Sequence, residues 1–142
     1  MSSRDSPDRW AADTSVAIAY LDAEHSAHDR CVAEMWGRSV ALSGHAAFET
    51  YSVLTRMSES GRIVAADVRR AIEAAFPESC WLTPQDQEDL LRRLADAGVV
   101  GGAVYDALVA EAARLDGRVL LTRDRRARST YDSIGVKYKI VA

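Results

Sequence analysis

The stretch Val119-Leu120-Leu121-Thr122-Arg123-Asp124 places a short apolar run directly before a charged pair. Four residues rich in Val and Leu make a strand rather than a helix, and the acid follows at its carboxyl end. The chain opens in the same way. Trp10-Ala11-Ala12 runs into Asp13-Thr14-Ser15, whose hydroxyl residues suit the cap of a following helix. Three more runs of strand length lie at Ser39 to Leu42, Cys80 to Leu82 and Val136 to Val141.

Between these runs the pattern is helical. The expected helices cover about Ser26 to Gly37, His45 to Gly61, Ala65 to Phe76, Pro84 to Ala97 and Ala103 to Leu115. Gly37 and Gly61 are natural helix stops, and Pro84 suits a first helical turn. Short strands alternating with longer helices predict an α/β fold. Its form would be a three-layer sandwich, a central and mainly parallel short-stranded sheet flanked by helices. In such sheets function gathers at the carboxyl ends of the strands. Asp13 follows the first strand, and Asp124 the penultimate one.

The 142 residues fit a single domain, 1–142, with residues 1–8 as an extension, and no repeat or linker divides them. With 48% apolar residues the chain can bury a core. No apolar run reaches the ~18–20 residues of a membrane span, and the polar start shows no secretory signal. The expectation is a soluble cytoplasmic protein with no membrane partner. Cys31 and Cys80 stand apart from each other and from any Cys/His cluster, so both read as buried, inert thiols and zinc has no evident site. A net charge of −3 argues against a protein that coats nucleic acid by overall charge. A local basic strip exists even so, from Arg118 through Arg123, Arg125, Arg126 and Arg128 to Lys137 and Lys139.

Two further acids stand inside helical segments. Glu49 sits in Ala46-Ala47-Phe48-Glu49-Thr50-Tyr51-Ser52-Val53-Leu54 and Asp106 in Val104-Tyr105-Asp106-Ala107-Leu108-Val109-Ala110-Glu111. On a helical wheel Val104, Leu108 and Leu115 form the centre of the apolar stripe, with Glu111 and Arg114 on one flank. Asp106 falls on the other side, among Ala110 and Ala113, where small side chains allow an ion or another backbone to approach. Three of the four acids also have a plainer reading. Asp13 would cap a helix, Asp124 would face the start of a basic helix, and Glu49 would be a surface acid. Together they form an oxygen-only donor set, which suits magnesium, or manganese in its place, and the chemistry of phosphoryl transfer.

At these residues the chain resembles the PIN-domain family, and within it the VapC-like toxins of bacterial toxin–antitoxin pairs. The matching blocks are Asp13-Thr14-Ser15-Val16, Glu49-Thr50-Tyr51-Ser52-Val53-Leu54-Thr55-Arg56, Tyr105-Asp106-Ala107-Leu108-Val109-Ala110-Glu111-Ala112-Ala113 and Leu120-Leu121-Thr122-Arg123-Asp124-Arg125-Arg126-Ala127. The resemblance implies that Asp13, Glu49, Asp106 and Asp124 are one acidic quartet, catalytic and metal-holding, with Asp13 and Asp106 the direct ligands. Ser15 and Thr122 would support the acids beside them. Arg123, Arg125 and Arg126 would meet RNA. The resemblance further implies a magnesium-dependent endoribonuclease whose metal-activated water leaves a 5′-phosphate and a 3′-hydroxyl. It also implies a homodimer silenced by a small antitoxin protein.

His45, one turn before Glu49, reads as a cap or packing residue rather than a base. Trp36, Trp81, Tyr51 and Tyr105 read as core or dimer-interface residues before base-stacking ones. Two rival classes remain. An acidic-pocket phosphohydrolase or receiver domain would want an Asp-x-Asp early or a late lysine, and Asp13-Thr14-Ser15 lacks the second acid. A non-catalytic protein-binding module would use the same acids only to hold the fold.

Overall fold

The computed structural model describes residues 9–57 and 64–142. The extension over residues 1–8 and the proposed stop at Gly61 lie outside that range. In chain order the elements are β1 (Arg9–Ala12), α1 (Thr14–Leu21), α2 (His28–Met35), β2 (Val40–Ser43), α3 (Ala46–Met57), α4 (Ala65–Ala75) and β3 (Ser79–Cys80). They continue with α5 (Pro84–Leu94), α6 (Ala103–Leu115), β4 (Arg118–Thr122), a 3₁₀ turn (Arg125–Ala127), α7 (Arg128–Ile134) and β5 (Tyr138–Ile140). Every strand pairing is parallel, and the sheet order is β3-β2-β1-β4-β5. The expected α/β sandwich is therefore present, with an all-parallel sheet rather than a mainly parallel one. The interior strands are the longer ones, and the edges are short, β3 at two residues and β5 at three.

From β1 the chain steps one way to β2 and β3, then jumps back past β1 to β4 and onward to β5. Right-handed crossovers, the near-universal rule for parallel strands, put helices of the outward steps on one face and those of the return on the other. The packing divides in that way. α1 meets α2, α3 and α4, whereas α6 meets α5 and α7. The order reverses between β1 and β4, and such a switch point opens a crevice at the carboxyl ends of the two strands. Asp13 and Asp124 follow those two strands.

The helices begin and end for local reasons. Thr83 and Asp86 form a reciprocal capping box ahead of Pro84, and Gly135 closes α7 with a left-handed backbone at φ 90°. Gly37, just beyond α2, also takes a positive φ. The core is built on Ala11, Ala12, Leu42, Leu120 and Leu121 of the sheet, packed by Val16, Leu90, Val109 and Tyr131 from the helices.

Three details differ from the sequence reading. First, α6 does not bury the stripe centred on Val104, Leu108 and Leu115. Leu115 is exposed, and the buried residues are Ala107, Val109, Ala110, Glu111, Ala112 and Ala113. The small side chains, not the large ones, face the sheet, since Ala lets a helix lie close against it. Glu111, placed on a flank by the wheel, is 2% exposed and is held by Arg114 (Nε to Oε1, 2.6 Å) and Arg93 of α5 (2.6 Å). Burial alone would push this carboxyl up, but the two arginines more than offset it and hold it below the ordinary range. Second, Arg118 does not belong to the basic strip. It is buried and pairs with Asp116 (2.6 Å) and Glu78 (3.6 Å), while Lys139 pairs with Glu34. Third, Trp36, Trp81, Tyr51 and Tyr105 are exposed in this chain, so none of them is a core residue. Cys31 and Cys80 are free and buried, as expected, and burial pushes both thiols up.

Candidate active site

The four acids meet in one pocket of about 230 Å³, lined also by Thr14, Ser15, Ile18, Val109 and Tyr131. Asp13 reaches it because the β1–β4 ladder runs one residue beyond β1: the Asp13 N–H donates to Leu121 O at 3.1 Å. Its carboxylate then caps α1, taking the Val16 N–H on Oδ1 at 3.1 Å. The capping role and the site role are thus the same geometry, not alternatives. Asp124 likewise caps the 3₁₀ turn by accepting the Arg126 N–H at 3.0 Å, and its carboxylate lies 3.5 Å from Arg126 Nε.

Ser15 and Thr122 tie the two acid-bearing loops together. Ser15 Oγ donates to Asp13 Oδ1 at 2.6 Å and accepts the Arg123 N–H at 2.8 Å, and the Asp124 N–H donates to Thr122 Oγ1 at 3.0 Å. Glu49 is fixed from across the pocket by the Thr14 hydroxyl at 3.0 Å. Asp106 rides on α6, which is anchored to the sheet where Ser43 Oγ donates to the Val109 carbonyl at 2.6 Å. Ala110 and Ala113, the small residues that the sequence placed beside Asp106, are buried.

One residue of the site was not anticipated. Tyr131 of α7, 1% exposed, donates from its hydroxyl to Asp13 Oδ2 at 2.8 Å. No local spacing in the sequence links it to Asp13, and Thr130 and Ile134 of the same helix are buried with it. His45 behaves as a packing residue. Its ring stacks on Tyr105 at 5.2 Å between centroids and does not line the acidic pocket.

Electrostatics single out two acids. Asp13 is 3% exposed, and burial raises its carboxyl above the ordinary range, opposed by the hydroxyls of Ser15, Thr122 and Tyr131 and the Val16 amide. Asp106 is pushed up to about 6, first by burial and then by the negative charges of Asp124, Glu49 and Asp13, with Arg126 pulling weakly the other way. Facing carboxylates with this effect on each other suit a divalent cation with hard oxygen preference. Among the described residues no group of three or more His, Cys, Asp or Glu side chains is placed to hold a metal ion by itself.

Beside the acids, Arg123, Arg125 and Arg126 line an adjoining pocket with Ser15, Ile18, His25 and Asp124. Arg123 Nε is buried there without a hydrogen-bond partner, an unusual state for a guanidinium nitrogen.

The sequence pattern of the PIN domain matches residues 11–132. The chain is 46% identical over 132 residues to Ribonuclease VapC27 of Mycobacterium tuberculosis (strain ATCC 25618 / H37Rv), covering 93% of this chain and 96% of that protein. It is 41% identical over 133 residues to Ribonuclease VapC40 of Mycobacterium tuberculosis (strain CDC 1551 / Oshkosh), covering 92% and 98%. The fold also matches the crystal structure of PAE2754 from Pyrobaculum aerophilum, with a TM-score of 0.58 at 22% identity over 92% of this chain and 90% of that one. The chain therefore belongs to the PIN-domain family, and within it to the VapC ribonucleases.

Proposed function

We propose that this protein is a magnesium-dependent endoribonuclease that acts as the toxin of a toxin–antitoxin pair. The observation that carries the reading is the meeting of Asp13, Glu49, Asp106 and Asp124 in one pocket. Burial and the three facing acids push the Asp106 carboxyl up to about 6, and a bound cation would relieve that repulsion. Asp13 and Asp106 would hold magnesium directly, or manganese in its place, with Glu49 and Asp124 completing the pocket. When bound, the metal supplies positive charge against a phosphate oxygen and lowers the pKa of water.

The chain's own groups supply the rest. Ser15, Thr122 and Tyr131 fix the Asp13 carboxylate so that it does not turn on binding. Thr14 does the same for Glu49. Arg123, Arg125 and Arg126 begin where the acids end and would neutralise the RNA backbone beside the bond being cut. Hydrolysis in this arrangement leaves a 5′-phosphate and a 3′-hydroxyl. The two mycobacterial relatives, both ribonucleases, support RNA as the substrate. A small antitoxin protein would silence the enzyme, and two copies would form the working dimer.

Purified protein incubated with total RNA in magnesium, in chelator, and as Asp13→Asn tests the chemistry. Cleavage in magnesium alone, and only by the unsubstituted chain, is expected. Cleavage that survives chelator or the substitution would refute the metal mechanism. Growth arrest on expression, relieved by Asp106→Ala, tests the toxin role separately. Equal toxicity of the two forms would count against it.

A further inference from the structure

The carboxyl edge of the sheet carries a second pocket, of about 200 Å³, at the ends of β2 and β3. Its walls include His45 and Phe48 at the start of α3, Trp81 just after β3, and Leu108 of α6. Phe48 meets Trp81 edge-on at 5.7 Å, and His45 stacks on Tyr105. The aromatic rings remain uncovered, Phe48 at 63% and Trp81 at 53% exposure. Gly44 forms the floor. At φ +50° it drops the β2–α3 turn between strand and helix, where a Cβ would stand 3.1 Å from Cys80 O and 3.3 Å from Ala112 Cβ.

This pocket and the acidic one share two helices. Phe48 and Glu49 are successive residues of α3, and Leu108 and Val109 are successive residues of α6. Along the sheet edge the sequence is therefore aromatic, acidic, basic. The aromatic pocket has no charged lining residue, so it does not suit a phosphate. Its small volume and ringed walls suit one flat heterocycle better than a helix of a second chain. Trp81 is set in place by its Nε1 bond to Ser79 Oγ at 2.9 Å. Gln87 gives its Nε2 to Leu82 O at 3.2 Å, which leaves its carbonyl to accept from a base amino group.

We propose that this aromatic pocket binds a nucleobase of single-stranded RNA, splayed out on the side of the acids opposite the arginines. The inference rests on the ribonuclease reading and adds to it the side chains, Phe48 and Trp81, that would take an unpaired base beside the cut. Base–aromatic stacking tolerates any base, so the pocket selects single strands and loops rather than a sequence.

The test compares two probes of equal charge, a ten-nucleotide oligoadenylate and an abasic ribose-phosphate chain of the same length. Binding is measured in an Asp106→Asn background, which prevents cleavage. The background protein is expected to prefer the oligoadenylate. Phe48→Leu and Trp81→Leu, which keep apolar volume but remove the ring, should each cut that preference about ten-fold, and Phe48→Tyr should retain it. Thermal melts of each variant confirm the fold. If both Leu variants keep the full preference for bases, the proposal is wrong. If they keep it while their size in gel filtration halves, the patch is a contact between copies of this chain instead. If size and preference change together, a preference that stays lost at concentrations restoring the larger species still supports the base pocket, and one that returns overturns it. Should the unsubstituted protein cleave no RNA in magnesium, the ribonuclease reading itself fails, which is a separate outcome.

Discussion

The Tyr131 hydroxyl donates a 2.8 Å hydrogen bond to Asp13 Oδ2 from a position 118 residues further along the chain. It is one of four groups, with the Ser15 and Thr122 hydroxyls and the Val16 amide, that hold this carboxylate. Tyr131→Phe keeps the buried ring and removes only the hydroxyl. The expected result is a magnesium requirement raised about 10-fold with little change in melting temperature. Cleavage followed against magnesium concentration checks this, and an unmoved curve would show that the bond only packs α7.

Substituting the acids one at a time separates capping from catalysis. Asp13→Asn keeps a side-chain oxygen for the Val16 amide, so α1 should stay capped while cleavage falls on the order of 100–1000-fold. Asp13→Ala should add a stability loss of about 1 kcal/mol. Asp106→Asn should match the first of these in activity, and Glu49→Gln should lose less. Single-turnover cleavage and chemical denaturation, run on the same samples, read the two effects apart.

The raised carboxyl of Asp106 has a consequence for stability that is opposite to that of an ordinary salt-bridged acid. Between its unfolded value of 3.8 and its folded value of about 6, the folded chain binds more protons than the unfolded one. The contribution to stability therefore falls as pH rises through that window. Asp13, raised by burial, acts in the same direction. Metal-free protein should melt higher at pH 5 than at pH 7.5, and magnesium should restore the loss at pH 7.5. Asp106→Asn should show a shallower pH slope and a weaker magnesium response. Identical slopes would place the strain elsewhere.

The arginines next to the site should reveal themselves in salt rather than in turnover. Each arginine that meets an RNA phosphate should reduce the slope of log affinity against log salt by about 0.7 when replaced by glutamine. Arg123 and Arg126 are expected to do so. Arg118 is committed to Asp116 and Glu78, so Arg118→Gln should leave the salt slope alone and lower the melting temperature instead.

Glu111 is a stability element with no part in the site. Its carboxylate joins α5 to α6 through Arg93 and Arg114, and Glu111→Gln should cost about 1–3 kcal/mol in denaturant unfolding. Because its folded carboxyl lies below the ordinary range, this support is present above the unfolded pKa of 4.5 and fades as pH falls through the folded value. Magnesium-dependent cleavage below the melting range should be unchanged.

Much of this was legible in the sequence. Asp13 and Asp124 could be placed because each ends a short strand, and the parallel fold turns a strand end into a site. Asp106 could be placed by the alanines on its face. Glu49 depended on the family resemblance, since an acid in the first turn of a helix has an ordinary explanation. The wheel misjudged α6 because it weighs large side chains, whereas in an alanine-rich helix close approach to the sheet is set by the small ones. Tyr131 could not be found, because its partner lies at the opposite end of the chain and no local spacing links them. The exposure of Trp81 and Tyr105 was also out of reach, since an aromatic residue in a helix or loop reads alike whether it is buried or open.

The two-residue and three-residue strands at the sheet's margins leave little unpaired backbone to extend. So short a ladder is poor ground for strand-by-strand addition of a second molecule. A contact between copies made instead through helices and their connecting turns could be altered one residue at a time without disturbing the ladder, leaving the acids at the sheet's centre in place.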